Sequence, residues 1–317
     1  MAYEFHSPSE TNSVIVGGGT MGTDIATVLL RAKSRCTIVE PSQLQHEGIC
    51  NRIAQNLQAI GREENRSLLS VVASLEEIDW SGVHLVIEAI PEDLALKQAL
   101  FKDLERLAGA DVILCSNSSS FPISDIAEGL QTAERMAGLH FFMPAHIVPL
   151  VEVVLGKQTN PEVGATLVAL MKRCGSVPVL IRKDVPGFLA NRLQHAIGRE
   201  AYSLIQSGIV TAEDVDAAVR FGFGFRYLAA GPIMQKEIAG WDVHAAAAAT
   251  IYPDLSNAAM PPAVLTDKIK NGNYGMKTGE GFYTWTPETM QEEKQRYDQV
   301  LRQGLEILSK DLPEIEP

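Results

Sequence analysis

The chain has 317 residues, a length that suits two domains better than one small core. Hydrophobic residues make up 46% and charged residues 21%, which is the balance of a soluble globular protein. No apolar run is long enough to cross a bilayer, and the first residues lack a secretory signal, so we expect a cytoplasmic protein with no membrane partner. The net charge of −12 repels phosphate backbones, so we expect no nucleic-acid partner.

Cysteine spacing gives no sign of a metal site. The chain has four cysteines, and none stands in a CxxC pair or a Cys/His cluster with metal-ligand spacing: Cys36, Cys50, Cys115 and Cys174. No activating neighbour stands near them in the sequence. We therefore expect reduced, unreactive thiols and no bound metal.

The first half of the chain alternates short β-branched runs with helical patterns. Strands are predicted at Ser13–Val16, Cys36–Glu40, His84–Ile90, Asp111–Ser116, Met136–Phe141, Leu150–Val154 and Val177–Ile181, and helices at Met21–Ala32 and Leu94–Leu107. This alternation predicts the α/β class, with a Rossmann-type, doubly wound and mainly parallel sheet covered by helices on both faces. Ligand crevices in such sheets lie beyond the carboxyl ends of the strands.

Strand patterns end after Ile181, where helical segments rich in alanine and leucine begin. The Pro-Gly pair within Arg182–Phe188 is typical of a boundary. We therefore predict a Rossmann domain over residues 1–184 and an all-α domain over residues 185–317. In the second domain, three helices are predicted. The first is Leu189–Ser207, the second begins at a capping box formed by Thr211 and Asp214, and the third runs from Pro287 to about Lys310.

A glycine motif follows the first strand. Gly17, Gly19 and Gly22 fit the pattern G-x-G-x-x-G and open a helix. The first glycine permits a tight turn, the second lets a diphosphate approach the backbone, and the third lets the helix pack against the strand. Free N–H groups at the helix N-terminus, where Thr20 and Met21 stand, favour negative charge. We expect these five residues to bind a dinucleotide.

Glu40 indicates which dinucleotide binds. It ends the second predicted strand. A carboxylate at this place accepts the ribose hydroxyls of NAD and repels the additional phosphate of NADP. No lysine or arginine follows in residues 41–44. We therefore predict NAD as the cofactor.

Several ordered motifs resemble the 3-hydroxyacyl-CoA dehydrogenase superfamily. They are Ser-Asn-Ser-Ser at 116–119, Gly-Leu-His-Phe-Phe at 138–142, Leu-Val-Glu-Val at 150–153, Asp-Val-Pro-Gly-Phe at 184–188, Asn-Arg at 191–192 and Thr-Gly-Glu-Gly-Phe-Tyr at 278–283. The resemblance covers nearly the whole chain. It implies an enzyme that oxidises a secondary alcohol of the L or S form with NAD, and that forms a homodimer through its helical domain.

His140 and Glu152 are the expected catalytic pair. Alcohol oxidation by NAD removes a hydride from carbon and a proton from oxygen, and a neutral imidazole is a suitable proton acceptor near pH 7. The resemblance implies that Glu152 accepts the other ring N–H of His140, fixes the tautomer and stabilises the imidazolium.

The resemblance implies five further site residues. Ser119 and Asn191 would hydrogen-bond the reacting oxygen of the substrate. Asn117 would lie on the nicotinamide side, Lys97 would lie near the cofactor, and Glu88 matches an acid of the family motif that helps to close the site.

Three departures from the acyl-CoA enzymes favour a smaller substrate. Met143 stands where the family run His-Phe-Phe-Asn-Pro has a polar amide. Residues 41–80 form a short segment without lysine, where acyl-CoA enzymes meet the nucleotide part of CoA. The run 222–232 resembles the branch of lambda-crystallin/L-gulonate dehydrogenase and carnitine dehydrogenase, and Asp-Leu-Ser-Asn at 254–257 resembles enzymes of small pyridine carboxylates.

Three interpretations stay open at this point. The first is a dehydrogenase of a small hydroxy acid or similar polar alcohol, in which Arg226 either clamps the substrate carboxylate or is only a surface or structural residue. The second is a short-chain L-3-hydroxyacyl-CoA dehydrogenase of fatty-acid or butanoate metabolism. The third, more remote, is a non-catalytic NAD-binding protein of the crystallin kind. For His146 we expect a structural or substrate-lining role.

Overall fold

The computed structural model describes residues 7–317. Within these residues, eight strands form one sheet in the order β3-β2-β1-β4-β5-β6-β7-β8. The strands are β1 (Asn12–Val16), β2 (Arg35–Val39), β3 (Leu69–Val72), β4 (Leu85–Glu88), β5 (Ile113–Ser116), β6 (Met136–Phe141), β7 (Leu150–Leu155) and β8 (Val177–Ile181). Neighbouring strands run parallel, except that β6 and β7 are antiparallel. The predicted fold class is confirmed.

Helices build the rest of the fold. Those connecting the strands are α1 (Thr20–Arg31), α2 (Gln43–Gln58), α3 (Leu94–Leu107), α4 (Ile123–Ile126) and α5 (Pro161–Arg173). Those that follow are α6 (Ala190–Gln206), α7 (Ala212–Ala218), α8 (Gly224–Tyr227), α9 (Pro232–Ala239), α10 (Trp241–Ile251), α11 (Ala263–Lys270) and α12 (Pro287–Leu308). Each predicted strand and helix is present, with its ends shifted by a few residues at most.

The central strands pack apolar side chains on both faces of the sheet. In β1, Ile15 lies in the core cluster that includes α1 and α2, whereas Val14 and Val16 lie in the cluster that includes α3. Successive side chains of a strand point to opposite faces, so a strand covered on both sides needs apolar residues at almost every position. This is why β1 ends in a continuous apolar run, Val14 to Val16.

Several elements were not predicted individually from the sequence, and β3 and α2 are two of them. β3 is a short edge strand, Leu-Ser-Val-Val, and its side chains are half-buried or exposed. α2 is mostly polar and buries only Ile49, Ile53 and Leu57. Both elements therefore lack the strong apolar pattern that marks the central strands.

The turn between β1 and α1 requires glycine at two positions. Gly17 has a φ of +110°, and a Cβ there would lie 2.7 Å from the carbonyl oxygen of Ala89. A Cβ on Gly22 would lie 1.9 Å from the carbonyl oxygen of Gly17. Only glycine at both positions lets α1 start this close to β1.

The chain divides into two compact units. The first ends at Asn191 and also contains Asp311–Pro317, and the second is Arg192–Lys310. The sequence instead placed the boundary after residue 184 and gave the whole C-terminal segment to the helical domain.

Two contacts explain this difference. Phe188 is buried in a core cluster of the first unit, so the segment after residue 184 still belongs to it. Ile315 forms a β-bridge with Cys174, and the N–H of Glu316 donates to the carbonyl of Arg173. The C-terminal residues therefore pack on the first unit, a contact between distant residues that local sequence patterns do not reveal.

The second unit is built from helices α6 to α12, as expected for an all-α domain. The capping box predicted before α7 is confirmed, since Thr211 and Asp214 each accept the backbone N–H of the other. Among residues 7–317, no helix has both the length and the apolar composition needed to span a membrane.

The tight packing at Gly22 gives a testable prediction. Gly22→Ala should lower the free energy of unfolding by about 1–3 kcal/mol, because the new Cβ must displace the carbonyl of Gly17. Gly48→Ala is the matched control: a Cβ at Gly48 in α2 would meet nothing within 4 Å. There, alanine should raise the free energy of unfolding by about 0.5–1 kcal/mol. Urea unfolding measures both, and similar effects of the two changes would contradict the role given to Gly22.

Candidate active site

The antiparallel pairing of β6 and β7 places His140 directly opposite Glu152. The Nδ1 atom of His140 and the Oε2 atom of Glu152 are 2.8 Å apart and share a hydrogen bond. The other oxygen of Glu152 accepts the backbone N–H groups of Leu189 at 3.0 Å and Ala190 at 2.8 Å. Both side chains are almost fully buried.

These contacts set the charge of Glu152. Burial raises the pKa of Glu152, but the hydrogen bonds from His140 and from the backbone of Ala190 and Leu189 outweigh it, so this pKa lies below its ordinary value. An ionised carboxylate at Nδ1 holds the ring proton there. Nε2 of His140 is then the unprotonated nitrogen, which can accept a proton.

Aromatic side chains fix the plane of the imidazole. The ring of Phe142 lies 4.5 Å from that of His140, centre to centre, and the ring of Phe188 lies 5.6 Å away. Phe188 is itself buried in the core. The imidazole is therefore held by packing as well as by its hydrogen bond.

A cavity of about 430 Å³ opens beside His140. Its wall has an apolar part and a polar part. The apolar lining residues are Met21, Ala89, Ile90, Phe141, Phe142 and Met143, and the polar ones are Glu92, Lys97, Asn117, Ser119, His140 and Asn191. All of these residues belong to the first unit.

The cavity brings together six of the residues predicted to act on substrate and cofactor, namely Met21, Lys97, Asn117, Ser119, His140 and Asn191. Nδ2 of Asn191 donates to the backbone carbonyl of Ser119 at 3.3 Å. Oδ1 of Asn117 accepts the backbone N–H of Phe141 at 2.9 Å, which ties the end of β5 to the end of β6. Arg226 lies exposed in α8 of the second unit.

Glu88 occupies a different place from the expected one. It is fully buried, does not line the cavity, and accepts Nζ of Lys97 at 2.6 Å and the hydroxyl of Ser116 at 2.6 Å. A buried carboxylate needs such partners, because an unpaired buried charge is very costly. Glu88 therefore supports Lys97 from behind rather than closing the site.

Glu92 is a cavity residue that the sequence analysis missed. Its Oε1 accepts the hydroxyls of Ser118 at 2.6 Å and Ser120 at 2.7 Å, and its Oε2 lies 3.2 Å from Nζ of Lys97. Burial raises the pKa of Glu92, but these contacts lower it to about 2 overall. Its position just after the carboxyl end of β4, where ligand crevices form, was the available signal.

The glycine turn lies next to Glu40. Oε2 of Glu40 accepts the backbone N–H of Gly18 at 3.1 Å, and Oε1 accepts that of Ser42 at 3.0 Å. The carboxylate is thus held at the end of β2, beside the N-terminus of α1.

Comparison of the amino-acid sequence with known protein families gives two matches. Residues 12–185 match the family described as 3-hydroxyacyl-CoA dehydrogenase, NAD binding domain. Residues 187–285 match the 3-hydroxyacyl-CoA dehydrogenase, C-terminal domain.

Two relatives illustrate the range of similar proteins. The 5-formyl-3-hydroxy-2-methylpyridine 4-carboxylate 5-dehydrogenase of Mesorhizobium japonicum is 33% identical over 303 residues, which are 93% of this chain and 98% of that protein. The fatty acid oxidation complex subunit alpha of Vibrio campbellii is 32% identical over 301 residues, which are 92% of this chain but only 42% of that subunit.

Solved structures show the same range. A 5-formyl-3-hydroxy-2-methylpyridine 4-carboxylic acid 5-dehydrogenase, described as an NAD+ dependent dismutase, has a TM-score of 0.87 at 30% identity and covers 93% of this chain and 98% of its own. A (S)-3-hydroxybutyryl-CoA dehydrogenase from Ralstonia eutropha has a TM-score of 0.71 at 27% identity, with coverages of 87% and 99%.

The chain belongs to the 3-hydroxyacyl-CoA dehydrogenase family. The resemblance in the sequence is thereby confirmed, and the protein is an NAD-dependent oxidoreductase acting on a CH–OH group.

The glycine turn of this dehydrogenase fits its cofactor. A Cβ on Gly19 would meet nothing within 4 Å, so the space over the turn is open to a diphosphate. The first N–H groups of α1 have no partner within the helix and favour an anion. The carboxylate of Glu40 stands beside the same turn, where the ribose of a dinucleotide lies in such folds.

The position of Glu40 predicts the preference of the dehydrogenase for NAD over NADP. Glu40→Gln should reduce the ratio of the NADPH and NADH dissociation constants by about tenfold, because it removes a charge that repels the additional phosphate. Glu47→Gln is the matched control, since it removes an exposed charge from the neighbouring helix α2. Titrations of cofactor fluorescence measure both. Equal changes of the ratio in the two variants would show a general charge effect and not a ribose contact.

Proposed function

We propose that this dehydrogenase oxidises the secondary alcohol of a small hydroxy acid, or of a similar polar alcohol, by hydride transfer to NAD. The observation that carries the proposal is the 2.8 Å hydrogen bond between His140 and Glu152 at the wall of the cavity. It provides a proton acceptor whose tautomer is set before the substrate binds.

Oxidation of the alcohol requires two transfers. NAD, when bound, accepts the hydride from the carbinol carbon. Nε2 of His140 accepts the hydroxyl proton, and Glu152 stabilises the imidazolium through Nδ1. Glu152 keeps its negative charge during this step because its pKa is lowered. In the reverse direction, His140 returns the proton to the carbonyl oxygen.

Ser119 and Asn191 hold the reacting oxygen in this proposal. Both line the cavity with His140, and both carry polar hydrogens that can donate to an oxygen as negative charge develops on it. The bond from Asn191 to the backbone of Ser119 sets their spacing.

The cofactor is held by residues of the glycine turn and by residues of the cavity. Gly17, Gly19, Thr20, Met21 and Gly22 receive the diphosphate at the start of α1, and Glu40 accepts the ribose hydroxyls. At the other end of the site, Asn117, Glu92 and Lys97 would lie near the nicotinamide of the cofactor. Glu88 holds Lys97 from behind by accepting its Nζ.

Three observations favour a small free acid over a CoA thioester. Residues 41–80 contain no lysine, and the guanidinium of Arg52 is paired with Asp24 at 2.8 Å, which leaves Arg62 and Arg66 as the other cationic side chains of this segment for a CoA phosphate. Met143 puts a thioether into the cavity wall. The relative that matches the chain over 93% of its length is named for a pyridine carboxylate. Arg226 is the proposed clamp for the substrate carboxylate, because a guanidinium matches carboxylate geometry.

The similarity to a 3-hydroxybutyryl-CoA dehydrogenase supports a second candidate, the oxidation of short 3-hydroxyacyl-CoA thioesters. The two candidates differ in whether the CoA part contributes to binding.

A panel of substrates separates these candidates. NADH formation should be measured with 3-hydroxyacyl-CoA thioesters and with free acids, including L-gulonate, carnitine and hydroxylated pyridine carboxylates. We expect turnover with a free acid, and we expect Arg226→Gln to raise its KM about tenfold while NADH binding is kept. Arg220→Gln is the matched control, because it removes the charge of another exposed arginine close to Arg226 in the chain. Turnover with thioesters alone would overturn the small-acid proposal.

We further propose a homodimer formed through the second unit. Large apolar side chains are exposed in α9 and α10, including Ile233, Met234, Ile238, Trp241 and Val243. Exposed apolar surface of this extent marks an interaction site.

Sedimentation equilibrium should give twice the chain mass of 34.5 kDa, and a single-chain mass at micromolar concentration would contradict the dimer.

A further inference from the structure

Asp24 is a buried carboxylate in the cofactor-binding helix α1. It lies two residues after the last glycine of the motif, and its side chain is fully buried. Burying a carboxylate is costly unless other groups compensate its charge. The partners of Asp24 therefore show which parts of the fold it holds.

One oxygen of Asp24 faces α2. Its Oδ1 accepts Nη2 of Arg52 at 2.8 Å, and Nη1 of Arg52 lies 3.5 Å from the hydroxyl of Thr20 at the start of α1. Arg52 is partly exposed and keeps its charge, so it neutralises the buried carboxylate.

The other oxygen faces the segment between β6 and β7. Oδ2 of Asp24 accepts the backbone N–H of Ala145 at 3.2 Å. Nδ1 of His146 lies 3.2 Å from the same oxygen, although this pair does not form a hydrogen bond. The carboxylate thus ties the cofactor helix to a segment distant in sequence.

That segment forms part of the active site. The N–H groups of Ile147 and Val148 both donate to the carbonyl of Pro144, which makes residues 144–148 one compact turn. Immediately before this turn stand Phe142, which packs on the ring of His140, and Met143, which lines the cavity.

We propose that Asp24 is a positioning residue for the reaction. By holding the N–H of Ala145, it fixes the turn, and with it Phe142 and Met143, relative to the helix that carries the cofactor. Its loss should therefore weaken substrate binding more than cofactor binding. The kinetic part of this inference rests on the proposed function.

A matched pair of double variants isolates the bond to Ala145. Asp24→Asn with Arg52→Met removes both charges and keeps an oxygen that can accept the N–H of Ala145. Asp24→Ala with Arg52→Met removes both charges and the acceptor. The two variants differ in the side-chain amide that can accept the N–H of Ala145, and both lack the buried charge and Arg52.

Hydrogen exchange of the peptide covering residues 142–149 needs no substrate and is read first. We expect exchange near the wild-type rate in the asparagine variant and at least about tenfold faster exchange in the alanine variant. With the most active substrate of the panel, the alanine variant should raise KM about tenfold relative to the asparagine variant, with NADH dissociation constants within about threefold of each other.

Equal exchange in the two variants would overturn the proposal, as would a loss of NADH affinity as large as the rise in KM. If the alanine variant does not fold, Asp24→Leu with Arg52→Met fills the space and gives the same comparison. If no substrate in the panel is turned over, the proposed function fails while the exchange result still decides the role of Asp24.

Discussion

The antiparallel pairing of β6 and β7 is the constraint on which the active site depends. It reverses β7 and β8 relative to the other six strands, and it places His140 on β6 directly opposite Glu152 on β7. The other oxygen of Glu152 accepts the backbone N–H groups of Leu189 and Ala190, the two residues that precede Asn191 at the start of α6. One buried carboxylate thereby joins His140, the strand pair and the helix that carries Asn191.

The same principle recurs at the other buried acids. Glu88 pairs with Lys97, and Asp24 pairs with Arg52. Such pairs add little net stability, because desolvation offsets much of their attraction, but breaking one leaves an uncompensated charge. Each pair joins two elements around the cavity, so the charges fix geometry more than they stabilise the fold.

The central strands and the main helices could be predicted because their residues carry the information locally. β1 and β4 each contain three consecutive apolar residues, and a capping box marks the start of α7. The pairing of His140 with Glu152 entered only through the family resemblance, since a separation of twelve residues does not define a contact. The edge strand β3 was missed because a half-exposed strand has no strong pattern.

What escaped prediction depends on contacts between distant residues. Glu92 gains its partners Ser118 and Ser120 from the neighbouring strand end, and Asp24 gains Ala145 from far along the chain. The compact units differ from the predicted domains at the C-terminus because Ile315 pairs with Cys174 of the first unit. The central claim, that His140 is the base, is tested most directly by His140→Ala, with turnover and the NADH dissociation constant measured together. The account predicts that turnover falls by orders of magnitude while NADH still binds, and unchanged turnover would contradict it.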